Sequence, residues 1–148
     1  MNHFSFSFFL PYSEGFPTAA LKICRCFCII KLLGGAEMSD QKIKQVVEAF
    51  AEESKNLYGS KLNTIILYGS CARGDYTDDS DIDILLLLNV PVEELGKERR
   101  RIFDVAGKLD LEYDVVLAPV LQSEEIYTKY MPVSAFYQTV QREGVRIA

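Results

Sequence analysis

Histidine is almost absent from this chain, and its scarcity argues against several classes of enzyme site. The only histidine among the 148 residues is His3. Ser-His-Asp sites, Cys-His sites and His-ligated zinc sites all require an imidazole close to the reacting atoms. A function built on any of these chemistries is therefore disfavoured.

Cysteine is scarce outside one short segment. Cys24, Cys26 and Cys28 form a C-x-C-x-C run, which lacks the paired C-x₂₋₄-C spacing of structural zinc sites. The fourth cysteine, Cys71, is interpreted as a small filler side chain. A reducing, cytoplasmic setting is the default expectation for such a chain.

Long uncharged apolar runs and an excess of positive charge are also missing. No stretch reaches 18 uncharged apolar residues, so no transmembrane helix is predicted and no membrane partner is expected. The net charge is −5, which argues against a broad surface for direct nucleic-acid binding. A compact acidic site can still bind a nucleotide through metal ions.

A boundary is predicted at Met38. Residues 1–37 are rich in aromatic, serine and apolar residues, and Lys22, Arg25 and Lys31 interrupt the apolar part, unlike a signal peptide. We hypothesise that Met38 is the natural start and that residues 1–37 are a non-native or disordered extension. The alternative is a genuine N-terminal extension that packs on a partner.

Residues 38–148 are then expected to form one domain, and periodicity predicts alternating helices and strands there. The predicted helices are 40–56, 70–72, 92–108, 123–130 and 133–142, the last followed by Gly144 at its C-terminal cap. The predicted strands are 61–68, 81–88, 111–118 closed by Pro119, and a possible edge strand at 145–148. This order implies a small α/β domain, in which a mixed sheet is covered by helices.

The most unusual segment is residues 69–83, GSCARGDYTDDSDID, which holds five aspartates. Asp81 and Asp83 run directly into an apolar strand, and strand alternation places them on the same face. Two adjacent carboxylates repel each other and lose hydration, so a buried pair needs a cation or a proton. The pair therefore predicts a divalent metal site. Asp75, Asp78 and Asp79 are interpreted as solvated loop residues.

Gly69 and Ser70 lie where a strand passes into a short helix. Backbone N–H groups at such a turn attract anions, and glycine lets a phosphate approach closely. A P-loop is excluded, because Asp75 and Tyr76 follow the second glycine instead of Lys and Ser or Thr. A Rossmann G-x-G-x-x-G is absent. Mg²⁺ on Asp81 and Asp83 would then neutralise a bound phosphate.

Asp114 is the candidate for a third carboxylate. It lies within LEYDVVLAP, which the pattern predicts as a strand, and a charge in mid-strand is costly unless it is paired or bound to metal. The alternative is that Glu112 and Asp114 share a solvent-facing side of that strand. The residues alone leave both possibilities open.

These residues resemble a known family. Gly69-Ser70, ten residues and then Asp81-x-Asp83 are similar to the pattern of the DNA polymerase β-type nucleotidyltransferases. GSCARGDYTDDSDIDILL is closest in form to the minimal nucleotidyltransferases. The resemblance covers about residues 40–148 and implies the polymerase β-like fold.

The resemblance also implies a role for each matching residue. Two Mg²⁺ ions would be held by Asp81 and Asp83, with Asp114 as the third acidic residue that also activates the attacking hydroxyl. Gly69 and Ser70 would hold the β- and γ-phosphates of ATP. Arg73 would support the triphosphate or the loop.

The chain is expected to lack an acceptor-binding domain of its own, because at most about 30 residues follow the predicted third strand. A partner would then supply such a domain, or the acceptor would itself be a protein. Minimal nucleotidyltransferases of this form resemble the antitoxins paired with HEPN-domain RNase toxins, which transfer AMP from ATP to a toxin tyrosine. One alternative is transfer to a small-molecule hydroxyl, such as an aminoglycoside, together with a separate helical subunit. The other is a non-enzymatic antitoxin that acts by binding alone.

Overall fold

A computed structural model describes residues 37–148, which lie within a single compact unit. The hypothesis about residues 1–37 falls, apart from Glu37, outside the described residues. Within the described part, no helix is both long and apolar enough to cross a membrane.

The described chain alternates helices and strands, in the order expected from its periodicity. The α-helices are α1 (Asp40–Tyr58), α2 (Gly69–Arg73), α3 (Leu95–Tyr113), α4 (Glu124–Tyr130) and α5 (Ala135–Glu143). The strands are β1 (Leu62–Tyr68), β2 (Ile82–Leu88), β3 (Leu117–Ser123) and β4 (Val145–Arg146). The predicted α/β class is confirmed.

The long helix α1 begins where its capping residues predict. The Oγ of Ser39 accepts a hydrogen bond from the backbone N–H of Lys42 at 3.2 Å, which satisfies a donor of the first turn. The predicted apolar stripe faces the core, with Val46 and Phe50 fully buried. This stripe fixes α1 against the sheet.

The sheet has the strand order β3-β2-β1-β4. The central pair β1 and β2 is antiparallel, β4 is antiparallel to β1, and β3 is parallel to β2. It is therefore a mixed sheet, as expected. The α3 crossover between β2 and β3 supplies the long connection that a parallel pair needs.

Strand β2 divides its side chains between the two faces of the sheet. Ile82 and Ile84 belong to the main core cluster, which also contains buried residues of α1 and α3. Leu85 and Leu87 form a second, smaller cluster with Val140 of α5. By alternation Asp83 lies on the α5 face, at the end of β2 that follows the aspartate-rich loop.

The predicted third strand, 111–118, is wrong in its position. Helix α3 continues to Tyr113, because Ile102, Ala106 and Leu109 keep a helical spacing and are all buried. The strand begins only at Leu117 and runs through Pro119. Proline is tolerated there because β3 is an edge strand of the sheet, where a missing N–H costs no ladder hydrogen bond.

The C-terminal elements match their predicted positions within two residues. Ser134 caps α5 by accepting from the N–H of Tyr137 at 3.4 Å. Gly144 follows α5 with φ of −73°, so it is not the left-handed cap that glycine suggested. Its role is steric, because a Cβ there would collide with the carbonyl of Val140 and the side chain of Ile66. The predicted edge strand is confirmed as β4.

Candidate active site

The turn after β1 holds Gly69 against the carboxylate of Asp83. Gly69 has φ of +73°, which L side chains rarely adopt. A Cβ at this position would collide with Oδ2 of Asp83 and lie 3.1 Å from its Cγ. Glycine is therefore required twice, for the backbone conformation and for the close approach of the carboxylate.

The two aspartates of the D-x-D pair differ in burial, and the charge of Asp81 acts on Asp83. Asp81 is exposed and precedes β2, whereas Asp83 is partly buried within β2 and pairs in register with Tyr68. Burial raises the pKa of Asp83, and the negative charge of Asp81 raises it further. This mutual repulsion in a partly desolvated place is what a bound cation would relieve.

Helix α2 begins at the turn and packs against β2. Ser70 follows Gly69 in the first turn of this helix. The buried thiol of Cys71 donates to the backbone carbonyl of Asp81 at 3.4 Å. Cys71 therefore fills space, as predicted, and also ties α2 to the D-x-D segment.

Arg73 lies at the end of α2, on the surface. Its guanidinium forms ion pairs with Asp75 at 3.1 Å and with Glu143 of α5 at 3.5 Å. Its positive charge also lowers the pKa of Asp83, against the larger effects of burial and of Asp81. The structure thus places Arg73 close enough to influence Asp83.

The acidic loop between α2 and β2 is exposed, as expected, but it is also anchored. The Asp78 carboxylate accepts from the backbone N–H of Met38 at 3.0 Å. The hydroxyl of Tyr76 donates to Asp40 at 2.5 Å. These bonds hold the loop against the start of α1, so the interpretation of this loop as merely solvated was incomplete.

Asp114 does not lie in a strand, which corrects the prediction. It is the C-cap of α3, with φ of 51° and ψ of 59°, a left-handed conformation that Asp tolerates better than most residues. Its backbone carbonyl accepts from Nζ of Lys42 at 3.2 Å. Two residues separate Asp114 from β3, which begins beside Ile82.

Asp110 is an acidic neighbour that the sequence analysis missed. Its Oδ1 accepts from the N–H of Leu117 at 2.8 Å and so fixes the first residue of β3. Burial raises the pKa of Asp110, the Leu117 hydrogen bond lowers it, and the charge of Asp81 raises it. Because the predicted helix ended at residue 108, no signal in the sequence placed Asp110 beside the start of β3.

The chemistry of these carboxylates suits a divalent metal ion, but they do not by themselves form a complete set of ligands. Carboxylate oxygens are the preferred ligands of Mg²⁺, and Asp81 and Asp83 supply them side by side. Among residues 37–148 no group of three His, Cys, Asp or Glu side chains is close enough to hold an ion. Substrate phosphate and water are the other ligands that such a Mg²⁺ ion commonly takes.

The nucleotidyltransferase domain family matches residues 43–140, and the chain belongs to this family. It is therefore a nucleotidyltransferase, as the motif resemblance indicated.

Several individual proteins are similar to this chain. Two proteins of Methanocaldococcus jannaschii, both provisionally named protein adenylyltransferases, are similar to it. The first is 32% identical over 72% of this chain and 99% of its own length. The second is 37% identical over 68% of this chain and 93% of its own length. A solved nucleotidyltransferase-like structure from Sulfolobus solfataricus is 21% identical, with a TM-score of 0.43 over 72% of this chain and 80% of that one. A toxin–antitoxin crystal structure with AMP-PNP is 22% identical, with a TM-score of 0.45 over 67% and 70%.

Proposed function

We propose that this nucleotidyltransferase transfers AMP from ATP to a tyrosine hydroxyl of a partner protein, a HEPN-domain toxin, in the cytoplasm. The observation that carries the proposal is the contact between Gly69 and Asp83, with Asp81 beside them. The contact supports the proposal because the turn, of a kind that can bind phosphate, lies against the carboxylate of Asp83, on which the charge of Asp81 also acts. The curated relatives, matched over nearly their full length, support a protein as the acceptor.

In the proposed reaction, the tyrosine oxygen attacks the α-phosphorus of ATP. A new O–Pα bond forms, the bond from Pα to the bridging oxygen breaks, and pyrophosphate leaves. Bound Mg²⁺ would neutralise charge on the attacking and leaving oxygens. The proton of the tyrosine hydroxyl must pass to a base, for which Asp114 is the proposed residue.

Each other candidate residue has a proposed part in the reaction. Asp81 and Asp83 would hold two Mg²⁺ ions, with Asp114 as the third acidic residue. The backbone N–H groups at Gly69 and Ser70 would bind the β- and γ-phosphates. Arg73 would exchange its exposed partner Asp75 for the triphosphate, because such surface ion pairs are weak.

The test is transfer to the partner protein. The chain is mixed with the HEPN protein, ATP and Mg²⁺, and the partner is examined by intact-mass spectrometry and peptide mapping. We expect the partner to gain the mass of AMP on a tyrosine, and expect no gain with Asp81→Asn or Asp83→Asn. An equal gain with these variants, or none with the wild type, would contradict the proposal.

The same variants separate catalysis from inhibition by contact. If the partner's RNase activity is blocked equally well by Asp81→Asn and by the wild type, without any change in partner mass, the chain acts as a binding module. If a small hydroxyl compound is modified and the partner is not, the acceptor is a small molecule.

A further inference from the structure

Two aromatic side chains lie beside Asp83 on the face of the sheet that α5 covers. Tyr68 is the last residue of β1 and pairs in register with Asp83 of β2. Residues paired across two strands point to the same face, with Cβ atoms about 5 Å apart. The ring of Phe136, in the first turn of α5, lies 5.5 Å from the ring of Tyr68 between centroids, in an edge-to-face arrangement. Phe136 is therefore linked to Asp83 through a single side chain.

The ring of Phe136 is held in place, yet much of it remains accessible to solvent. Besides its contact with Tyr68, it lies 5.4 Å from the ring of Tyr137, tilted by 54°. The hydroxyl oxygen of Tyr137 accepts a hydrogen bond from Nε2 of Gln122 at 2.9 Å, which fixes that ring in turn. Despite these contacts, Phe136 is 43% exposed. It thus presents an oriented aromatic surface to solvent next to the candidate active site.

Phe136 differs in this respect from the other exposed aromatic residues between residues 37 and 148. Those are Phe103 and Tyr130, which are 50% and 43% exposed. Phe103 belongs to α3, whose buried residues pack in the main core cluster on the other face of the sheet. The ring of Tyr130, at the end of α4, lies beside Nζ of Lys129. Within the described part of the chain, Phe136 is the exposed aromatic residue whose ring contacts Tyr68.

A nucleotidyltransferase needs a place for the base of its nucleoside triphosphate, and the candidate residues described above concern only phosphate and metal. Aromatic side chains commonly bind nucleobases, because every base has a flat π-face that stacks on a ring. A nucleotide held by its phosphates beside Asp83 carries its base one sugar away from the α-phosphate. Phe136 lies on this same face of the sheet, where Tyr68 packs against the smaller core cluster.

We propose that the exposed ring of Phe136 stacks on the base of the nucleotide substrate, while Tyr68 holds that ring in position. The inference rests on the proposed binding of ATP at the turn of Gly69 and Ser70. When the phosphates lie at this turn, the ribose bridges the span from the α-phosphate to Phe136. The ring then contributes to nucleoside binding without touching the reacting atoms.

The polar neighbours of Phe136 favour a contact through the flat face of the base. Three polar side chains lie within two residues of Phe136, and each already takes part in a hydrogen bond within the protein. These bonds join Ser134 to the N–H of Tyr137, Tyr137 to Gln122, and Gln138 to the carbonyl of Pro132. Stacking therefore suits this place better than recognition of an edge of the base.

Replacing the ring separates binding of the base from binding of the phosphates. Calorimetric titration in Mg²⁺ compares ATP with inorganic tripolyphosphate, which carries the phosphates alone. Phe136→Ala should weaken ATP binding about tenfold and leave tripolyphosphate binding unchanged. Phe136→Tyr keeps an aromatic face and should bind ATP like the wild type. Phe103→Ala is the matched control, because it removes a similarly exposed phenylalanine from the other side of the sheet, and it should change neither affinity.

A tryptophan at the same position reports the contact directly. The chain contains no tryptophan, so the fluorescence of Phe136→Trp comes from this one position when tyrosine is not excited. A base stacked on the indole ring should quench this fluorescence when ATP is added in Mg²⁺, whereas tripolyphosphate should leave it unchanged. The fluorescence of Phe103→Trp should respond to neither compound.

Four results would overturn the contact between Phe136 and the base. Two of them are ATP binding of equal strength in the wild type and Phe136→Ala, and ATP binding by Phe136→Trp without a change in fluorescence. The third is an equal loss of ATP and tripolyphosphate binding in Phe136→Ala, because the ring would then only support the turn through Tyr68. The fourth is slower transfer by Phe136→Ala with normal ATP binding, which would assign the ring to the acceptor. A wild type that binds no ATP would contradict the proposed function together with the base contact.

Discussion

The turn at residues 69–83 and the junction between α3 and β3 lie at the same end of the sheet, but they were predictable to very different degrees. In the turn, Gly69 and Ser70 lie where β1 passes into α2 and Asp83 lies within β2, as their spacing implied, while Asp81 lies one residue before that strand. At the junction, Asp114 belongs to a helix end instead of a strand. Constraints carried by neighbouring residues are visible in a sequence, whereas a boundary set by packing against distant residues is not.

The largest expected effect concerns the better-predicted region. Asp83→Asn should reduce nucleotidyl transfer by at least about 100-fold, because changes to the outer partners of metal ligands alone cost 10- to 100-fold. It should leave the metal-free protein equally stable or more stable, because it removes a partly buried charge that Asp81 repels. Transfer rate and thermal unfolding without metal measure the two effects. A variant that loses activity only because it unfolds would contradict this account.

The next largest effect is expected from substitution of Gly69 in the same turn. Gly69→Ala should lower both transfer activity and stability, because it adds a collision with Asp83 to the strain of a positive φ. Gly74→Ala is the matched control, since Gly74 also has positive φ, +78°, but a Cβ there meets nothing within 4 Å among the described residues. We expect denaturant unfolding to show a cost of about 1 kcal/mol for Gly74→Ala and a clearly larger cost for Gly69→Ala. Equal costs would mean that the close approach to Asp83 is unimportant.

The junction gives the next comparison, between Asp110 and Asp114. Asp114→Asn should reduce transfer by about 100-fold or more if it acts as the base, in line with the contribution of general bases. Asp110→Asn should keep most activity, because an amide oxygen can still accept from Leu117. Asp110→Ala should cost about 1–3 kcal/mol, since it leaves that N–H without its partner.

Kinetics of the two asparagine variants, with unfolding measurements of the alanine variant, test these effects. If Asp110→Asn is the inactive variant and Asp114→Asn is active, the third acidic role belongs to Asp110.

The smallest expected effect is on folding stability, and it comes from a contact between α1 and α3 that lies away from the site. The hydroxyl of Tyr58 donates to the carbonyl of Glu98 at 2.9 Å, and burial, followed by the charge of Glu98, raises the pKa of Tyr58 to about 12. Tyr58→Phe should cost about 1 kcal/mol at neutral pH. Between pH 10 and 12 the unfolded state loses the Tyr58 proton while the folded state keeps it, so folding stability falls as pH rises. The fall should be less steep in Tyr58→Phe, and parallel curves from pH 9 to 12 would contradict the assignment.

The sequence predicted the fold class and most element positions, because the apolar spacing of α1, β1, β2 and α5 agrees with the final packing. It failed at residues 111–116, where Glu112, Tyr113 and Val115 suited a strand locally. Burial of Leu109 beside Ile102 and Ala106 extended the helix instead. The prediction that Pro119 closes the third strand was wrong for a related reason, since only the strand order shows that β3 is an edge strand, which tolerates proline. Asp110 was missed because its proximity to Asp81 depends on a contact between distant parts of the chain.

Calorimetric titration with ATP measures whether Asp81 and Asp83 hold metal beside a phosphate-binding turn. We expect the wild type to bind ATP in the presence of Mg²⁺ and far more weakly in excess chelator, and expect Asp81→Asn and Asp83→Asn to lose the magnesium-dependent part. ATP binding of equal strength with and without Mg²⁺, or unchanged binding in both variants, would contradict it.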